Sequence, residues 1–132
     1  MRVWFLAMGI VSAFALAAQA AGANDARFFR SLQKLGPAER LEQLCDYTAL
    51  AQIRKDQRNF RPERAVASAV ADVKVKNDTI EAKSGAFRSR GKWYALSYTC
   101  TAAPDHLKVV SFSYKIGDEI PEEKWAAYGL WE

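Results

Sequence analysis

Cys45 and Cys100 are the only two cysteines in this chain, and they lie in stretches of opposite periodicity. "PAERLEQLCDYTALAQIRKD" (Pro37–Asp56) puts Leu41, Leu44, Cys45, Ala49 and Ile53 on one face of a helix. Pro37 suits a first helical position. Gly36 stops a preceding helix that Asn24-Asp25 would cap and whose apolar stripe is Phe28, Leu32 and Leu35. In "KWYALSYTC" every second side chain shares a face, so Leu96, Tyr98 and Cys100 point the same way from a strand. A bond between the two cysteines would fasten the buried face of that helix to the buried face of a sheet.

Whether they pair depends on the compartment, and the N-terminus addresses that. Arg2 is the one charge before Asp25, an apolar run follows from Val3 to Ala17, and Ala18-Gln19-Ala20 is a small-x-small site. This is the pattern of a secretory signal peptide, residues 1–20, with cleavage after Ala20 or after Ala23. The apolar run is short for a membrane span, so no stable span is expected after cleavage. The mature chain, residues 21–132, is then a single small domain in an oxidising space, where an even cysteine pair reads as a disulfide. Closing a loop of about 56 residues, it would contribute ~4 kcal/mol. No C-x-x-C spacing suggests redox work for the pair.

The remaining pattern is mostly strand. Gln57 to Val66 reads as a loop. Ala65 to Ala71 reads as a strand, although its alanines would also suit a helix, and Thr79 to Ala82 reads as a short strand after an Asn77-Asp78 turn. "SRGKW" marks a hairpin with Gly91 first in a type II′ turn, which places Phe87 opposite Leu96 and Arg90 opposite Trp93. "APDH" makes the next turn, and "LKVVSFSYKIG" then turns Val110, Phe112, Tyr114 and Ile116 inward. Pro121 opens a short C-terminal helix, Gly129 ends it, and Leu130-Trp131 folds back onto the body. Helices followed by strands argue for an α+β fold: N-terminal helices on an antiparallel sheet, a short C-terminal helix, and a helix–strand disulfide.

The outer sheet face is the candidate functional surface. This register leaves Arg88, Arg90, Lys92 and Trp93 in solvent with Lys115 and the hydroxyls of Ser97, Thr99, Ser111 and Ser113; the loop cations Arg58, Arg61 and Arg64 join them if the fold brings that loop alongside. Guanidinium groups and short hydroxyls can grip anionic sugars or phosphates, and they also line the wet side of any such sheet. Cations outnumber acids by about two to one from Arg27 to Lys92, and the ratio inverts from Trp93 onward.

Catalytic signals are few. His106 follows Asp105 in a turn, and nothing marks a nucleophile beside it. Asp118, Glu119, Glu122 and Glu123 read as helix N-terminal charges rather than a calcium site, and one histidine with a bonded cysteine pair makes no zinc site. Phosphate-loop and dinucleotide fingerprints are absent, so no cofactor is expected.

The segments "RLEQLCD", "RPERAVASAVAD", "GAFRSRGKWYALSYTC" and "PDHLKVVSFSYKIGDEIPEEKW" resemble a family of small exported alphaproteobacterial proteins, the domain of unknown function catalogued as 930. The resemblance runs from about Leu35 to Trp131 and includes both cysteines. It implies an envelope protein of Gram-negative bacteria and carries over no activity, cofactor or site residue.

The expectation is therefore a periplasmic, non-enzymatic binding or accessory domain for an anionic envelope glycan or an acidic protein. Nucleic acid is not expected as a partner, because the chain is exported and its charge modest. The alternative is an inhibitor of a secreted hydrolase acting through the loop Ala102 to His106.

Overall fold

A computed structural model describes residues 25–132; the expected leader and cleavage sites, together with the Asn24 half of the expected cap, lie outside the described residues. Helix α1 covers residues 25–32, and α2 spans Pro37–Asp56. Five antiparallel strands follow: β1 (Pro62–Val66), β2 (Lys74–Lys76), β3 (Thr79–Ser89), β4 (Lys92–Ala102) and β5 (Val109–Glu119). The order is β1-β3-β4-β5, with β2 paired to the other half of β3. Two 3₁₀ turns, Glu122–Lys124 and Ala126–Tyr128, close the chain. Among the described residues no helix is long and apolar enough to cross a membrane.

The apolar face of α2 is the set the periodicity gives: Leu41, Leu44, Cys45, Ala49 and Ile53 are all buried. They pack on Ile80, Ala82, Phe87, Leu96, Tyr98 and Cys100 from β3 and β4, with Leu32 of α1 closing one end. Phe60 sets its edge against Phe87 and Tyr94, at centroid distances of 5.2 and 4.9 Å. Cys45 and Cys100 are bonded, with Cα atoms 6.0 Å apart, so the helix–strand staple is present. Such a bond belongs to an oxidising compartment.

Four details differ from the expectation. The β3–β4 turn is Arg90-Gly91, both at positive φ (52° and 76°), so the hairpin is type I′ rather than II′. The register moves by two residues: Ser89 faces Lys92, Arg88 faces Trp93 and Phe87 faces Tyr94. A two-residue shift preserves both faces, because side chains alternate with period two. Secondly, β1 is Pro62–Val66, earlier than Ala65 to Ala71. Pro62 is tolerated because it begins an edge strand, and the small residues that follow have little strand preference. Thirdly, β3 runs on from Thr79 to Ser89 through a bulge at Lys83-Ser84. Lastly, a bulge at the start of β5 turns Val109 inward and leaves Val110 65 % exposed.

The short C-terminal helix is present as two 3₁₀ turns, and the fold-back holds. Gly129 adopts φ 67°, which glycine does without steric cost, and the Leu130 N–H then donates to Trp125 O at 2.8 Å. Leu130 is buried, and the Trp131 carbonyl accepts from Trp93 Nε1 at 2.8 Å. Ile120 to Trp131 thus forms a strap across the outer face of the sheet. Beneath it lies a second small core of Ala86, Trp93, Ile120, Trp125 and Leu130.

A candidate binding trough on the outer face

The strap changes the expected surface. Trp93 is fully buried, so it cannot be the exposed aromatic of a binding face. The type I′ register also puts Arg88 opposite it, not Arg90. The Arg88 side chain is only 20 % exposed; its Nε lies 3.4 Å from Glu63 Oε2, and its Nη1 donates to Trp131 O at 3.5 Å. Lys92 stands 3.5 Å from Glu119. Arg90 sits exposed in the turn. Arg64 is directly opposite Arg88, and the Arg61 N–H donates to Ser89 Oγ at 2.8 Å, so Arg61, Arg64, Arg88 and Arg90 gather at one end of the sheet. Arg58 lies exposed in the preceding loop.

The open part of the outer face lies further along β4. Two bulges flank it, at Lys83-Ser84 in β3 and around Gly117-Asp118 in β5. The β3 bulge lies opposite Ser97 and the β5 bulge opposite Ala95, so the neighbouring strands are deformed on either side of Leu96. Bulges bend a strand and re-aim its side chains, and they recur beside functional sites. Here they open a cavity of about 420 Å³ with a floor of Ala95, Ser97 and Gly117 and walls of Val70, Pro121 and Tyr128. A side chain at 117 would stand 2.9 Å from Ala95 Cβ, so the close packing of this floor requires glycine. Lys83, Lys115 and Lys124 stand on the rim.

A second cavity of about 270 Å³ continues along β4 past Thr99 and Ser113. Lys83, Ser97 and Lys115 line both cavities, so the two make one trough; at the strap end Asp118, Glu119 and Lys124 join the apolar residues, and the other end is hydroxylated. Lys83 lies 3.3 Å from Glu81, an exposed pair worth about 0–1 kcal/mol and easily exchanged for a ligand. Among the described residues neither Lys115 nor Lys124 has a carboxylate within ion-pair distance. Ser97, Thr99, Ser113 and Lys115 were legible as wet-face residues. Lys83, Lys124 and Tyr128 were not, because bulges and the strap bring them there.

His106 is a structural histidine in this geometry. It is buried, with φ 57°; Nδ1 lies 2.7 Å from Pro37 O and Nε2 lies 2.8 Å from Asp78 Oδ1. Both ring nitrogens are engaged, which leaves neither free to act as a general base. Arg40 binds the same loop through Asp105 O at 2.9 Å and also donates to Leu32 O, Gln33 O and Leu35 O at the end of α1. One arginine therefore joins both helices to the β4–β5 loop. Among the described residues no three His, Cys, Asp or Glu side chains group to hold a metal ion.

Two ionisable groups are strongly perturbed, Asp46 and Tyr98. Tyr98 Oη donates to Asp46 Oδ1 at 2.9 Å under α2. Burial pushes the Asp46 carboxyl up to about 7; the Tyr98 hydrogen bond opposes the rise and Glu42 adds to it. Burial and the facing carboxylate also raise Tyr98. The pair lies on the helix side of the sheet, away from the trough.

Residues 32–130 match the profile of a Domain of Unknown Function, DUF930. The chain belongs to this family. The match begins inside α1 and ends in the strap, so it takes in the disulfide, the sheet and both cores. No curated protein and no solved structure matches the chain. For this DUF930 protein the functional reading therefore rests on its own geometry.

Proposed function

We propose that the protein is an exported, non-enzymatic domain of the Gram-negative periplasm that holds an anionic glycan in the outer-face trough. The observation that carries this reading is the pair of cavities that share Lys83, Ser97 and Lys115. Lysine ammonium groups pair with sugar carboxylates or phosphates as mobile point charges. Ser97, Thr99 and Ser113 supply donors and acceptors for sugar hydroxyls. Tyr128, Pro121 and Ala95 give an apolar wall for the C–H face of a ring. The combined volume lies in the range of small-ligand sites, about 300–1,000 Å³. The disulfide supports export, and the leader pattern of residues 1–20 supports the periplasm.

The test is calorimetric titration of the protein purified from the periplasmic fraction with oligogalacturonate, using a neutral dextran oligomer as control. Lys83→Ala with Lys115→Ala should weaken oligogalacturonate binding about tenfold and leave the melting temperature unchanged. Equal binding of the neutral oligomer, or an unaffected double variant, would defeat the glycan reading. Loss confined to Arg88→Ala with Arg90→Ala would move the site to the arginine end. A second reading, inhibition of a secreted hydrolase, draws on the Ala102–His106 loop, whose tip at Pro104 and Asp105 is exposed while His106 and Arg40 fix its base. Deleting Pro104 and Asp105 would abolish inhibition and spare glycan binding.

A further inference from the structure

The two edges of the sheet are built differently. On one edge β1 and β2 are short, five and three residues; Pro62 lacks an N–H, and Lys74 and Lys76 flank an exposed Val75. Short strands, proline and lysine are the usual defences against edge-to-edge pairing. The other edge is β5, eleven residues long. It has no proline, and Lys115 is its one charge between Val109 and Gly117.

The hairpin fixes which groups that edge presents. In a type I′ turn the flanking residues, here Ser89 and Lys92, exchange both hydrogen bonds, so Tyr94 and Leu96 also bond toward β3. Trp93, Ser97 and Thr99 then bond toward β5. The Ile120 N–H donating to Trp93 O and the Ala103 N–H donating to Lys108 O, both at 2.8 Å, fit this phase. Ser97 faces Lys115 and Thr99 faces Ser113, so Ser113 and Lys115 spend their backbone bonds on β4. Phe112, Tyr114 and Ile116 turn their N–H and C=O groups to the open edge, where no backbone partner stands among the described residues.

We infer that this edge pairs with the β5 strand of a second copy, antiparallel about a two-fold axis at Ser113, so that one sheet runs through both copies. The strand is complementary to itself in that register. Ser111 meets Lys115, Phe112 meets Tyr114, the exposed Val110 meets Ile116, and Lys108, the residue just before the strand, comes level with Asp118 of the partner. Opposite charges and aromatic pairs directly across a ladder are favourable. Centring the axis on Lys115 would set the two lysines face to face, which is unfavourable. A symmetric axis repeats each pair, so one substitution acts twice.

The test uses the full-length gene product after export. Sedimentation equilibrium across the micromolar range should show a dimer. Lys108→Glu should weaken it about tenfold, two cross-strand pairs being lost together, and adding Asp118→Lys should restore it. Under mild oxidation Ser113→Cys should give a covalent dimer, because the axis brings the two side chains together, while Thr99→Cys, one strand further in, should not. A monomer at every concentration would overturn the inference and leave the edge to a strand of different sequence. So would a dimer indifferent to Lys108→Glu, or equal cross-linking of the two cysteine variants.

Discussion

The sheet carries a core on each face, and the two are held by different means. On the helix side α2 lays a continuous stripe on β3 and β4, and a covalent bond ties that stripe to the sheet. On the strap side there is no regular helix and no cross-link. Trp93 and Trp125 fill the space, and each indole N–H ends on a backbone carbonyl: Trp93 Nε1 on Trp131 O at 2.8 Å, Trp125 Nε1 on Ile120 O at 2.9 Å. The helix side thus gains from a restricted unfolded chain as well as from burial, whereas the strap depends on burial and hydrogen bonds alone. Segments with few such ties open first. The strap also forms one wall of the trough, so the less secured core is the one that shapes the candidate site.

The largest expected effect comes from removing the tie. Cys45→Ala with Cys100→Ala should lower unfolding stability by about 4 kcal/mol, since the bond spans a long loop. Denaturant titration checks it, and a loss below about 1 kcal/mol would show that the two cores contribute more evenly than this comparison holds. Next comes Trp93→Ala, which removes the largest fully buried side chain and should cost about 3 kcal/mol, the low end for such truncations because the strap can collapse into the gap. The two cores can be followed separately. The three described tryptophans, Trp93, Trp125 and Trp131, all lie on the strap side, so indole fluorescence reports the strap while far-ultraviolet dichroism reports α2. In the parent the two signals should coincide, as two-state unfolding requires. In Trp93→Phe the fluorescence of the remaining indoles should change at lower denaturant than the helix signal. Coincident curves in that variant would show that strap and helix side unfold as one unit.

The same contrast explains what could be read in advance. The helix side follows from periodicity: five residues at helical spacing, a proline at the first position and alternation around Cys100 fix both faces before any coordinates exist. The hairpin faces were legible too, although the turn was not. Gly91 advertises a turn, but type I′ also needs a left-handed residue before it, and Arg90 gives no sign of adopting φ 52°. The strap was half legible. Gly129 and Leu130 mark a fold-back, yet sequence does not say onto which face, and that choice decides whether Trp93 meets solvent or a second core. The trough was least legible. It exists because two bulges, each an extra residue in its strand, fall two residues apart along β4, one opposite Ser97 and one opposite Ala95. Alternation cannot anticipate an inserted residue, and the same limitation hid the exchange of Val109 and Val110.

The smallest effect separates the cores by pH. Asp46 belongs to the helix side, where burial lifts its carboxyl to about 7 against an unfolded value of 3.8. Between those values the folded chain binds the extra proton, so this group stabilises the fold fully below about pH 4 and loses that contribution as pH rises through about 7. The strap core has no counterpart, since Ala86, Trp93, Ile120, Trp125 and Leu130 carry no ionisable group. Asp46→Asn keeps an oxygen acceptor for Tyr98 and cannot ionise. The variant should match the parent near pH 4 and exceed it at pH 8 by about 1–2 kcal/mol, less than full linkage gives because Asp46 is only half-buried and solvent screens it. The difference between the two stability curves reports Asp46 together with its coupling to Glu42. A constant difference from pH 4 to pH 8 would mean that Asp46 is ionised throughout and that the helix side tolerates its charge through the Tyr98 hydrogen bond alone. A difference that opens between them, at unchanged indole fluorescence, would locate the pH sensitivity under α2 and leave the trough wall unaffected over the same range.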